Sequence, residues 1–206
     1  MRVPPGRAGR LDLERRLRSA RRSADVLDRK LRILRVEQDS LERAAREAED
    51  CWRKRYADAD TWLLRAALLG HRRGLLAAER PEAELVLGRA MAAGVGYLVL
   101  ERMTVPDRPL SAAPPASAAS DPAAAAGAVA LEAAVRYAVA DAALRSVAAE
   151  VSITRRRLRA IEDRWLPALT ERYRVVVAEL DEQERAEGAR LRWATRRGSA
   201  DQHGDE

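Results

Sequence analysis

Residues 13–52 read LERRLRSARRSADVLDRKLRILRVEQDSLERAAREAEDCW. Leu13, Leu17, Ala20, Ala24, Leu27, Leu31, Leu34, Gln38, Leu41, Ala45, Ala48 and Trp52 recur in this stretch at steps of four and three. All but Gln38 are apolar, and the residues between them are mostly Arg, Glu and Asp. On a helix, a repeat of this kind lines up one apolar seam that a second helix must cover. The stretch predicts a coiled-coil helix over residues 10–69, roughly 90 Å long at 1.5 Å per residue. Pro4, Pro5, Gly6 and Gly9 predict a flexible start over residues 1–9, and Gly70 predicts the stop.

A second stripe lies far along the chain. Leu144, Val147, Val151, Thr154, Leu158 and Ile161 step by three and four, and the stripe resumes at Leu169, Tyr173, Val176, Leu180 and Gln183. The interval from Leu158 to Leu169 breaks the heptad and predicts a stutter. Pro167 lacks an N–H and crowds the carbonyl of Asp163, which predicts a kink. This helix is expected over residues 128–197, roughly 100 Å long, with a flexible tail over 198–206. Two long helices, each with one apolar seam, predict an all-α fold in which they pair antiparallel.

Between them the pattern changes. In the middle region, residues 70–110, the short apolar runs Glu84–Leu87, Gly94–Leu100 and Met103–Val105 suggest a small β-hairpin, although Arg89–Ala93 reads equally well as helix. Residues 111–127, SAAPPASAASDPAAAAG, read as a low-complexity linker.

Composition agrees with a helical chain and excludes several classes. The 206 residues include 36 Arg, two Lys and 42 Ala, with no Phe. A mixture dominated by Ala, Glu, Arg and Leu belongs to long helices rather than to a packed globular core. No run of 18 apolar residues predicts a membrane span, no secretory leader pattern follows the N-terminus, and the lone Cys51 fits a reducing, cytoplasmic setting. Neither Lys30 nor Lys54 follows a glycine, so no Walker loop is present. His71, His203 and Cys51 offer no metal spacing. Cys51, beside the seam residue Trp52, is expected as a small buried or half-buried thiol rather than a nucleophile. Glu42, Arg46, Glu49 and Arg53 read as an ion-pair surface. No catalytic, cofactor-binding or metal site is expected. Trp52, Trp62 and Trp165 read as packing residues, with Trp193 the candidate for an outside contact.

Charge is uneven. Residues 1–35 hold twelve basic and four acidic side chains, whereas residues 37–60 hold five basic and eight acidic. Gly188–Arg197 adds Arg190, Arg192, Arg196 and Arg197 without an acid. In an antiparallel pair these termini lie together, so Arg7, Arg10, Arg15, Arg18, Arg190, Arg192 and Arg196 form a candidate basic tip for a complementary partner. A solvated, arginine-rich helix face is the plain alternative. The seam itself is assigned to Leu13, Leu17, Leu27, Leu31, Leu34, Leu41, Leu158, Ile161, Leu169, Val176 and Leu180.

Thr154-Arg-Arg-Arg157-Leu158-Arg-Ala160-Ile161-Glu162, followed by Leu166-Pro167-Ala-Leu169, closely resembles the C-terminal signature of the D subunits of V-type and A-type rotary ATPases. Leu180-Asp-Glu182-x-Glu184-Arg185 and Arg190-Leu-Arg192 look like further elements of it. Leu13-Glu-Arg-Arg-Leu17-Arg-Ser-Ala20 and Leu27-Asp-Arg-Lys30-Leu-Arg are similar to the family's opening segments. The resemblance implies a non-catalytic central-stalk subunit that carries torque between a nucleotide-handling hexamer and a membrane ion-translocating ring. It implies the A and B subunits of the hexamer, the F subunit of the rotor and the C/d funnel subunit as partners, with membrane association only through the complex. It also places the basic tip toward the hexamer. A stand-alone basic coiled-coil scaffold and a nucleic-acid-binding protein are the competing readings; interleaved Glu and the lack of an aromatic platform count against the latter.

Overall fold

The computed structural model describes residues 4–71, 82–105 and 117–201. Their order is helix α1 (Gly6–Ala66), a π turn (Ala67–His71), strands β1 (Glu84–Ala92) and β2 (Val95–Thr104), helix α2 (Ser120–Arg159), a second π turn (Ala160–Trp165) and helix α3 (Leu166–Asp201). The expected fold, two long paired helices with a small hairpin between them in sequence, is the observed one. The chain divides into two units: Met1–Arg29 with Thr154–Glu206, and Lys30–Ile153.

In the first unit, Leu13, Leu17 and Ala20 of α1 are buried against Leu169, Val176 and Leu180 of α3, with Ile161, Leu166 and Tyr173 packed on the cluster. Arg7 pairs with Glu184 at 2.9 Å, and Tyr173 donates to Glu14 at 3.1 Å. Rising numbers on α1 meet falling numbers on α3, so the pairing is antiparallel. Leu158 is buried too, and Leu27 and Ile161 are half-buried. The helix starts at Gly6 rather than near residue 10. Gly9 is buried one step before Leu13, so tertiary cover overrides its poor helix propensity.

The second unit uses smaller residues. Leu31, Leu34, Val147 and Val151 are buried, and beyond them the buried positions are Ser120 and the alanines Ala45, Ala59, Ala66, Ala119, Ala123, Ala130, Ala133 and Ala143. Leu41 is half-buried. Trp52 of α1 stacks on Tyr137 of α2, with centroids 5.5 Å apart and planes 7° from parallel. Lys30 donates to Glu150 at 2.7 Å, both side chains being mostly covered.

Three boundaries move. Gly70 does not stop the first helix, because the π turn Ala67–His71 carries it on. Residues 120–127, read as linker, are the opening turns of α2. Ser117 N–H donates to the Ser120 hydroxyl while Ser120 N–H donates to the Ser117 carbonyl, a reciprocal cap. Pro122 is harmless in a first turn, and the alanines that follow are the best helix formers. The rest of that segment, residues 111–116, lies outside the described residues. At the far end α3 continues through Gly198 to Asp201; residues 202–206 also lie outside.

The helical run Ser120–Ala194 contains a stretch long and apolar enough to cross a bilayer by length and composition. Its alanines give apolar character without an unbroken run of large side chains.

The hairpin is real, and the helical option for Arg89–Ala93 is not taken. Antiparallel pairing carries β1 to Ala92, where Ala92 faces Val95. Ala93 (φ 47°) and Gly94 (φ 80°) make the two-residue turn. Positive φ at both is the type I′ geometry, which matches the strand twist. Val86 pairs with Arg102 and Leu87 with Leu100, so Glu101 is the extra residue of a bulge. Its carboxylate lies across Gly88, where a Cβ would sit 2.1 Å from Glu101 Oε1.

Candidate interaction surfaces

Among the described residues no group of His, Cys, Asp and Glu could hold a metal ion. The informative features are surfaces, and the π turn Ala160–Trp165 sets the first of them. Ile161 and Leu166 both pack on the first unit's apolar cluster. They are five residues apart, and the Leu166 N–H bonds the Ile161 carbonyl, the i to i−5 bond of a π turn. The seam therefore runs Leu158, Ile161, Leu166, Leu169, Tyr173, Val176, Leu180. This is how the chain absorbs the stutter. Pro167, which cannot supply the next α-type bond, follows directly. Trp165 stands one heptad after Leu158, where an unbroken repeat would bury it. The extra residue turns it outward, and it is 62% exposed.

The arginines of the first unit divide into two kinds. Arg7 and Arg10 of the expected tip are in ion pairs, with Glu184 and with Glu14. Arg18 donates to the Glu14 carbonyl at 3.4 Å, and Arg15 and Arg190 are exposed. Arg192 and Arg196 are exposed and each makes a further contact. Around the π turn, Arg155, Arg156, Arg157, Arg159 and Arg164 are all exposed, and none of the ion pairs among the described residues includes them.

Exposed apolar surface is concentrated in the second unit. Leu85, Leu87 and Met91 project from one face of β1, and Leu98 lies opposite Arg89 on β2; all four are exposed, Met91 by 69%. On the other face Gly88, Ala90 and Val99 are half-buried, and there Tyr97 donates a hydrogen bond to Glu37 of α1. That bond, then partial burial and the Glu37 charge, push the Tyr97 phenol up to about 12. Tyr173 is raised in the same direction, first by its hydrogen bond to Glu14. An open groove of about 420 Å³ is lined by Trp62, Arg65, Leu68, Leu69, Ala118 and Ala119. Arg65 lies 4.7 Å over the Trp62 ring.

Several sequence readings are refined by these positions. Cys51 is exposed rather than half-buried, since it sits one residue, about 100° around the helix, off the seam. Trp193 is 62% exposed, and Trp165, expected to pack, is equally so. Glu42–Arg46 and Glu49–Arg53 form the expected ion pairs. The Tyr97–Glu37, Lys30–Glu150 and Tyr173–Glu14 contacts join residues 60, 120 and 159 positions apart; no local pattern announces them. His71 closes the first π turn, and His203 lies outside the described residues.

The family of ATP synthase D subunits matches residues 10–196 of the chain. No curated protein matches it.

Proposed function

The chain belongs to the family of ATP synthase D subunits, and on that premise we propose that it is the central-stalk rotor subunit of a V/A-type ATPase or ATP synthase. In this reading it transmits torque between the hexamer of A and B subunits and the membrane ion-translocating ring. The family is that of a structural stalk subunit, and the chain itself performs no chemistry. The observation that carries the reading is the extent of the match, which takes in both seams and the hairpin. A stalk protein needs long helices clamped against slippage. The buried seams with the Lys30–Glu150 and Tyr173–Glu14 contacts supply such a clamp.

The partners are assigned by surface. The basic tip of Arg7, Arg10, Arg15, Arg18, Arg190, Arg192 and Arg196 faces the hexamer. The small F subunit of the rotor takes the apolar outer strip of the hairpin, and the C/d funnel subunit receives the middle region of the chain. The protein works on the cytoplasmic side, peripheral to the membrane and held there by the complex.

Reconstitution tests this. The full chain, mixed with the F subunit and the A/B hexamer of the same source, is expected to give a complex with one copy of the chain and one of F by native mass spectrometry. Persistence of homo-oligomers in that mixture, or ATP turnover by the isolated chain, would overturn the reading. Leu87→Ser with Met91→Ser should weaken F binding while leaving the helical circular dichroism unchanged.

A further inference from the structure

The seam of the C-terminal helix must pass from Ile161 to Tyr173, both packed on the same apolar cluster. The residue that follows Ile161 in the seam decides how the helix is wound. A step of three brings in Arg164, a step of four Trp165 and a step of five Leu166. Arg164 is ruled out, since a charge without a partner is costly in an apolar seam. Trp165 is large and apolar, and a step of four needs nothing more than an ordinary α-helix. From Trp165, two further steps of four reach Leu169 and Tyr173. The chain nevertheless takes the step of five, which requires the rare π geometry. The Leu166 N–H bonds the Ile161 carbonyl, Leu166 packs on the cluster, and Trp165 is left 62% exposed.

The reason lies one residue further on. An unbroken α-helix through this segment would hold Pro167 in its interior. There the ring crowds the carbonyl of Asp163, and no N–H is available to bond it. The π turn closes one helix before Pro167 and opens another at Leu166, so Pro167 falls in the first turn of α3. A first turn is where proline is tolerated, because its N–H would be unused in any case. The two windings share Leu158, Ile161, Leu169 and Tyr173 and differ by exchanging Leu166 for Trp165. Each buries one large apolar side chain, so their apolar cover is similar. A segment with two packings of similar cover is bistable, and one further interaction selects between them.

We infer that Ala160–Trp165 is a two-state element, π with Trp165 outward or α with Trp165 in the seam, and that Pro167 locks it in the outward state. Pro167 thus positions a tryptophan two residues before it, and the exposed indole is a product of the lock rather than of the seam pattern. The inference concerns the winding of this helix and stands whether or not the stalk reading holds.

The test uses the full chain with Pro167→Ala, which restores the missing N–H and removes the ring. Trp165 is followed by iodide quenching of tryptophan fluorescence, its share being the part lost in Trp165→Phe. That share should shrink by about half or more in Pro167→Ala, as the inward state becomes populated. Residue 166 is followed by thiol labelling of Leu166→Cys in a Cys51→Ser background. Its labelling should become several-fold faster when Pro167→Ala is added, because residue 166 leaves the seam as Trp165 enters it. The opposite signs separate a change of winding from simple loosening, which would raise both exposures. Unchanged quenching of Trp165 in Pro167→Ala overturns the lock, and so does a rise at both positions. If Leu166→Cys lowers the helical circular dichroism, the quenching of Trp165 decides alone.

Discussion

The two units bury their helix seams with different materials. In the first, the buried side chains are mostly leucine: Leu13, Leu17, Leu158, Leu169 and Leu180. In the second, eight alanines are buried beside only Leu31, Leu34, Val147 and Val151 among the larger aliphatic side chains, with the Trp52–Tyr137 stack set among them. Leucine seams gain stability from the apolar area of each side chain, and a gap left by one is not refilled. Alanine seams gain little area per residue and rely on close backbone approach, which leaves no room for a larger group. One antiparallel pairing is thus built with opposite weaknesses, to deletion in one unit and to enlargement in the other.

That contrast can be broken by exchange. Leu13→Ala, at a fully buried position, is expected to cost about 2–5 kcal/mol by urea unfolding. The reverse change, Ala143→Leu, is expected to cost about 1–3 kcal/mol through overpacking. A neutral or stabilising result at Ala143 would mean that the second seam has spare room, and the contrast would fail. Smaller still is the Lys30–Glu150 pair, whose side chains keep about a quarter of their exposure. A double-mutant cycle to Met and Gln should give about 1 kcal/mol of coupling or less. Zero coupling would leave the register to the apolar seam alone.

The smallest effect concerns the hairpin. Tyr97→Phe should cost under about 1 kcal/mol, since the bond to Glu37 is partly open to water. Its pH dependence has a definite sign. A phenol whose folded pKa is raised holds its proton more tightly in the folded state. Its contribution is therefore complete below the unfolded value near 10 and is lost as pH rises through about 12. Tyr97 and Tyr173 should both titrate late in phenolate absorbance at 295 nm, and the Tyr97 step should disappear in Tyr97→Phe. Its persistence in the variant would assign the shift elsewhere.

What the sequence could reveal followed from the range of the forces involved. The seam from Leu13 to Trp52 was legible because a helical repeat is written in neighbours three and four apart. The hairpin was visible as short apolar runs, but its turn was not, since Ala93 is an unusual residue for positive φ and masked the Ala-Gly turn. Residues 120–127 were misread because composition spoke louder than the Ser117–Ser120 cap. The arginines were legible as charge, yet which of them is ion-paired depends in part on acids that lie across the seam. Arg7, matched by Glu184 from 177 residues away, is the example.

The π turn also changes what chain length means in this helix. Ordinarily a long helix accepts substitutions on its outer face and is indifferent to the numbering beyond them. Here Trp165, Arg172 and Glu179 stand one, two and three heptads after Leu158, and all three are exposed. The chain after residue 165 is written in a second reading frame, one residue out of phase with the frame before residue 161. Removing a single residue between Glu162 and Trp165 would put Leu166 one heptad after Leu158 and let an unbroken α-helix keep Leu169 and Leu180 in the seam. The number of residues here is therefore part of the code, since with one fewer the π turn has nothing left to absorb.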